Sequence, residues 1–164
     1  MDLATFNAAP DSDVTEQLLA CCDAGTWAHA IVTERPYATV GDLLATAAES
    51  SRRLEPDDVD RALAAHPRIG ERAAGGSRDA AWSRQEQSGV RTDEQKQAAL
   101  LEGNREYEER FGRVFLICAT GLDADEILQA LKRRLGNDEA TEASVVRDEL
   151  GKIAQVRLRK LVEA

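Results

Sequence analysis

Aromatic residues are scarce: two Trp, two Tyr and three Phe in 164 residues, 4% of the chain. With hydrophobic residues still at 43%, the core has to be built mainly from Ala, Leu, Val and Ile. Ala and Leu favour helix, and aromatic strand formers are few, so a mostly helical fold is expected. Positive charge is also short, with 21 Lys and Arg against 30 Asp and Glu, a net charge of −9. Duplex nucleic acid and anionic membranes both require a basic face, and none is present, so neither is expected as a partner. An anionic small molecule remains open if one or two buried cations outweigh the general field. Cysteine is limited to Cys21, Cys22 and Cys118. An odd number with two adjacent argues against a disulfide framework and fits a reducing compartment. No apolar run approaches the ~20 residues needed to span a bilayer. The opening MDLATFNAAPDSD is acidic without an apolar core, so no signal peptide is expected. The closing KLVEA is not an SKL-type signal, so the cytosol is the expected setting.

A chain of this length is expected to form one domain over residues 1–164. No internal repeat or low-complexity linker interrupts it, and the helical signals predict an all-α bundle of about seven to nine helices. Asp11 or Ser12 is expected to cap a helix carrying Leu18, Leu19 and Cys22 that stops near Gly25. A second starts near Trp27 and ends before Pro36. Thr39 to Asp42 marks the start of a third, with Leu43, Leu44, Ala47 and Leu54. Pro56, Asp57 and Asp58 suit the first turn of a fourth, with Val59, Ala62 and Leu63 facing inward. Residues 79–89 read as a short helix stopped by Gly89, and Thr92 with Gln95 as a capping box. Leu100, Tyr107 and Phe111 form an inner stripe with Asn104 on the same side. Asp123 with Glu126 opens a helix carrying Ile127, Leu128, Leu131 and Leu135, and a last helix covers roughly 142–162. The apolar run RVFLICAT, 113–120, has strand length but no second strand to pair with. It is expected to be a buried extended connector whose backbone groups need side-chain or ligand partners.

Three features could carry chemistry. In the last helix Val146, Leu150, Ile153 and Leu161 lie on one stripe, and Arg157 falls in its middle, whereas Arg159 and Lys160 point away. A core-facing arginine needs an anionic partner; this is either a structural salt bridge, or snorkelling near the helix end, or bidentate binding of an anionic or carbonyl-rich ligand. Trp82 and Glu86 are four apart and share a helix face beside Ser83. They make either a carboxylate presented to a ligand's N–H groups or a packed indole with a solvated acid nearby. His66 stands before Pro67, which restricts it to extended backbone at the end of a helix and suits a presented imidazole. No His or Cys stands near it at ligand spacing, so no zinc site is expected, and GERAAGGS lacks the features of a phosphate loop. Together these residues support a cofactor-free pocket able to bind a small polar molecule and move a proton.

The segments LAAHPRIGE, AAWSRQEQSGV, FGRVFLICATG and KIAQVRLRKL, in that order, resemble the signatures of the OHCU decarboxylases. These enzymes act on 2-oxo-4-hydroxy-4-carboxy-5-ureidoimidazoline (OHCU) in the breakdown of urate to allantoin. FNAAP, WAHAIVTERPY and GDLLATAAE agree as well, so the likeness covers nearly the whole chain. The resemblance implies an all-helical homodimer of the stand-alone form, without a transthyretin-like domain, with a ureido-imidazoline substrate and no metal or organic cofactor. It implies that His66, placed by Pro67, is the catalytic histidine and proton donor. It further implies that Glu86 and Arg157 serve catalysis and hold the substrate with Ser83 and Gln87, and that the backbone of Ile117, Cys118 and Ala119 hydrogen-bonds it. Two other functions stay open at this point: a lyase or hydrolase acting on a related ureide, and a non-catalytic helical interaction module.

Overall fold

A computed structural model describes residues 1–71, 76, 78–88, 90 and 94–163. Among them there are nine helices and no strand. The expected stop at Gly89 and the Thr92 of the expected capping box lie outside the described residues, as do 72–75 and 77 of the glycine-studded stretch. The chain divides into two compact units: Met1–Ala65 with Arg147–Ala164, and His66–Val146.

The first unit contains α1 (Leu3–Ala8), α2 (Asp11–Cys21), α3 (Gly25–Thr33), α4 (Val40–Arg52) and α5 (Pro56–Leu63). It also takes in the part of α9 (Glu139–Val162) that follows Val146. α1 was not anticipated from the sequence; its Asp2 cap accepts from Thr5 N–H at 2.8 Å and its Phe6 is fully buried. α2 begins at Asp11, one residue beyond Pro10, so neither Asp11 nor Ser12 is its cap. Thr39 and Asp42 form the reciprocal box expected of them at the start of α4, and Pro56 takes the first turn of α5. α3 packs on α2 and α4, and the Trp27 indole N–H donates to Ala47 O at 3.0 Å, so the buried ring is also satisfied. Leu54 is buried although it lies past the end of α4. The later part of α9 turns Leu150, Ile153, Ala154, Arg157, Leu158 and Leu161 inward. Gln155 ties it to α4 by donating to Leu44 O at 2.9 Å.

The second unit holds α6 (Arg78–Glu86), α7 (Glu94–Phe111), α8 (Ala124–Leu135) and the first turns of α9. Its core joins Ile69, Leu100, Tyr107, Phe115, Ile117, Ala119, Ile127, Ala130 and Leu131. In the run 113–120, residues 114–119 form neither helix nor strand, between a bend at Arg113 and a turn at Thr120, with no ladder partner among the described residues. Both of its ends are set by glycine: Gly112 closes α7 at φ +68°, and Gly121 turns the chain toward α8 at φ +80°. Only glycine adopts such angles without cost, so the connector leaves and enters the helices sharply. Asp123 and Glu126 then form the expected capping box of α8.

All three cysteines are thiols. Burial pushes the Cys22 thiol up to about 12; Arg157 pulls it down while Asp23 and Asp58 add to the rise. Burial and the bond to Glu142 likewise raise Tyr107 to about 12. Both groups would ionise at lower pH in the unfolded chain, from their ordinary 9.0 and 10.0. The folded state therefore holds more protons across that interval, and stability that is complete below about pH 9 should fall as the pH rises toward 12. Urea unfolding midpoints measured from neutral to alkaline pH check this; a midpoint that stays level up to pH ~11 contradicts it.

Candidate active site

The second unit starts at His66 itself. α5 ends at Leu63, two turn residues follow, and His66 and Pro67 are both half-buried. The turn they open is stitched down residue by residue. Asn104 of α7, itself buried, donates to Ile69 O at 2.9 Å. The Gly70 N–H donates to Gln87 Oε1 at 3.1 Å, just past the end of α6. Arg68 bonds both oxygens of Glu108, at 2.5 and 3.1 Å. Ile69 shares the core with Ile117 and Ala119. The histidine turn, the end of α6 and the connector are thus drawn onto one core.

On α6, Ala80, Ser83 and Glu86 form the buried face, three residues apart. The sequence left open whether Glu86 would be the solvated neighbour of a packed tryptophan. The outcome is the reverse: Glu86 is 7% exposed, and Trp82 is the half-buried partner, with the Arg78 guanidinium 5.8 Å from its ring. A carboxylate kept from water in this way has to be matched by donors. Ile117 and Ala119 are buried and Cys118 is half-buried. A cavity of about 240 Å³ opens beside the same turn, lined by Gly70, Glu71, Arg84, Gln87, Val90 and Gln97; of the sequence-derived candidates it takes in Gln87.

Arg157 belongs to the first unit, where it is 2% exposed within the apolar stripe of α9 and beside Cys22. The structure therefore bears out its burial, and the outward direction of Arg159. His29, assigned nothing from the sequence, is exposed and lines a groove of about 650 Å³ in the first unit with Asp11, Thr15 and Arg35. Among the described residues no cluster of His, Cys, Asp and Glu is arranged to hold a metal ion, and no helix is long and apolar enough to cross a membrane.

One group of residues was missed in the sequence. Glu142, fully buried, accepts from Tyr107 Oη at 2.6 Å, from Arg134 Nε at 2.8 Å and from Asn137 Nδ2 at 3.0 Å. Arg134 in turn donates through Nη1 to Leu116 O at 2.6 Å. A signal existed: Arg134 continues the stripe of Ile127 and Leu131 on α8, and Glu142 that of Val146 and Leu150 on α9.

Residues 7–159 match the family profile described as OHCU decarboxylase. The chain belongs to the OHCU decarboxylase family. A 2-oxo-4-hydroxy-4-carboxy-5-ureidoimidazoline decarboxylase of Amia calva is 34% identical over 139 residues, 83% of this chain and 79% of that protein. A uric acid degradation bifunctional protein of Arabidopsis thaliana is 32% identical over 86% of this chain, and the match spans 45% of that longer protein. Among solved structures, an OHCU decarboxylase crystallised in the presence of (S)-allantoin aligns with TM-score 0.77 and 28% identity, over 95% of this chain and all of that one. Membership in the OHCU decarboxylases makes this chain a decarboxylase of urate degradation.

Proposed function

We propose that the chain converts OHCU to (S)-allantoin with release of CO2, acting as one OHCU-decarboxylase domain. The observation that carries the proposal is the turn opened by His66, stitched through Gly70 to Gln87 at the end of the helix that buries Glu86, in a chain of this family. In the substrate the carbon that bears the carboxylate also bears a hydroxyl and neighbours a C=N bond. The C–CO2 bond breaks, its electron pair forms a C=C bond to the ureido-bearing carbon, and the C=N pair passes to the ring nitrogen, which takes up a proton, giving an enol. The hydroxyl carbon then becomes a carbonyl, losing its O–H proton, as a proton is added to the carbon bearing the ureido group. The C=N is the electron sink, so the chemistry calls for no cofactor.

The protein's task is orientation, charge stabilisation and delivery of a proton to one face. His66 delivers that proton, since an imidazole can exchange protons near neutral pH. Glu86 accepts hydrogen bonds from the ureide N–H groups, Arg157 grips the anionic end bidentately, and Ser83, Gln87 and Pro67 complete the walls. The backbone of Ile117, Cys118 and Ala119 supplies further hydrogen bonds. The working form is a cytosolic homodimer.

Circular dichroism of allantoin formed from freshly generated OHCU tests the reaction. A fast signal of one hand supports it; slow racemic product at the uncatalysed rate overturns it. Arg157 has its own test. If it serves the substrate, Arg157→Ala should abolish most activity while the melting temperature falls little. A structural ion pair broken on one side would instead cost ~3–5 kcal/mol of stability.

A further inference from the structure

Resting on the reading that the 117–119 backbone holds the substrate, we propose that Arg134, clamped by Glu142, is a positioning residue that aims and strengthens the Ile117 N–H as a donor to the substrate. The carbonyl that Arg134 holds, Leu116 O at 2.6 Å, belongs to the same peptide unit as the Ile117 N–H. That unit is planar, with its C=O and N–H pointing in opposite directions, so fixing the oxygen fixes where the N–H points. A charged donor on the oxygen also polarises the amide and makes its N–H a better donor.

The connector has no ladder partner among the described residues; two of its carbonyls are bonded outside any ladder, Leu116 O by Arg134 and Ala119 O by Leu122 N–H at 3.0 Å. Arg134 is itself held from several sides. Its guanidinium carbon lies 4.5 Å from the centre of the Phe115 ring and 5.7 Å from that of Tyr107. Its Nε donates to Glu142, whose other donors are Tyr107 and Asn137. A buried ion pair is seldom worth more than well-packed apolar residues of the same volume. Stability alone therefore does not account for placing one here, whereas a fixed, polarised amide at a binding segment does.

The test uses the 15N-labelled full chain with (S)-allantoin, and steady-state decarboxylation of OHCU. In the wild type, added allantoin should move the Ile117 amide proton downfield. Arg134→Lys keeps the charge but loses the fork that spans Glu142 and Leu116. It should shift the Ile117 resonance in the unliganded protein and lower kcat about tenfold, less than the 10²–10³ for deleting an oxyanion donor outright. Glu142→Gln should act in the same direction. Asp123→Ala removes the cap of α8 without touching Arg134; it should lower the melting temperature and leave kcat at the wild-type value. An Ile117 resonance that ignores allantoin in the wild type overturns the proposal, whether or not the variants fold. So does a folded Arg134→Lys with wild-type kcat, KM and Ile117 shift. An inactive wild type overturns the decarboxylase reading itself, whereas an active wild type with unchanged variants overturns this inference alone.

Discussion

His66→Ala is expected to lower kcat for OHCU decarboxylation by ~10²–10⁴, the usual worth of a positioned general acid. The fold should survive, because His66 is only half-buried and the turn behind it is held by Asn104, Gln87 and Glu108. Thermal melting should therefore stay close to the wild type. The product should also lose its handedness. If CO2 still departs slowly in the pocket but the proton comes from water, the enol is protonated from either face. Rate and chirality are separate readouts of one step, and a variant that keeps fast turnover with one-handed product would remove His66 from the mechanism. KM should change less than kcat, since the group acts in the transition state more than in binding.

The largest loss of stability is expected from Glu142→Ala. The carboxylate is fully buried and takes donors from three side chains, so its removal strands a buried guanidinium and a buried phenol at once. Breaking one side of a buried pair costs ~3–5 kcal/mol, which for a domain of this size lowers the melting temperature by roughly 6–20 °C. Replacing both sides is a different experiment. Arg134→Met with Glu142→Leu removes the charges together and should recover much of that stability. It should not recover kcat, because Leu116 O would still lack its charged donor. Differential scanning calorimetry of the single and double variants, with activity alongside, separates the two effects; a single variant that melts within a degree or two of the wild type would show that the pair contributes little.

The helices were legible where local chemistry decides them. Thr39 with Asp42, Asp123 with Glu126, and Pro56 at a first turn are short-range signals, and each one marks a real helix start. The connector was legible for the opposite reason, as an apolar run with nothing to pair with. Arg157 was found because a charge interrupted an apolar stripe, and the stripe is buried as expected. The Arg134–Glu142 pair obeys the same logic but joins two helices, so each charge looked like an ordinary member of a helix end: Arg134 of a basic last turn, Glu142 of an acidic first one. α1 escaped because six residues carry too little periodicity to register. The burial of Glu86 could not be read at all. Spacing put it on a face with Trp82, and only the packing of α6 decides which of the two is covered.

The division of the chain also has a temporal side. Residues 66–146 are contiguous, so everything the second unit needs has been synthesised once α9 has begun. The first unit draws on both sides of that stretch. While the ribosome works through the intervening codons, Leu43, Leu44 and their neighbours on α4 wait without the later turns of α9. Domains generally close in the order in which their parts emerge. Here the nascent chain should reverse that order, finishing its middle before its beginning, with a chaperone-sized interval in which the first five helices expose apolar surface.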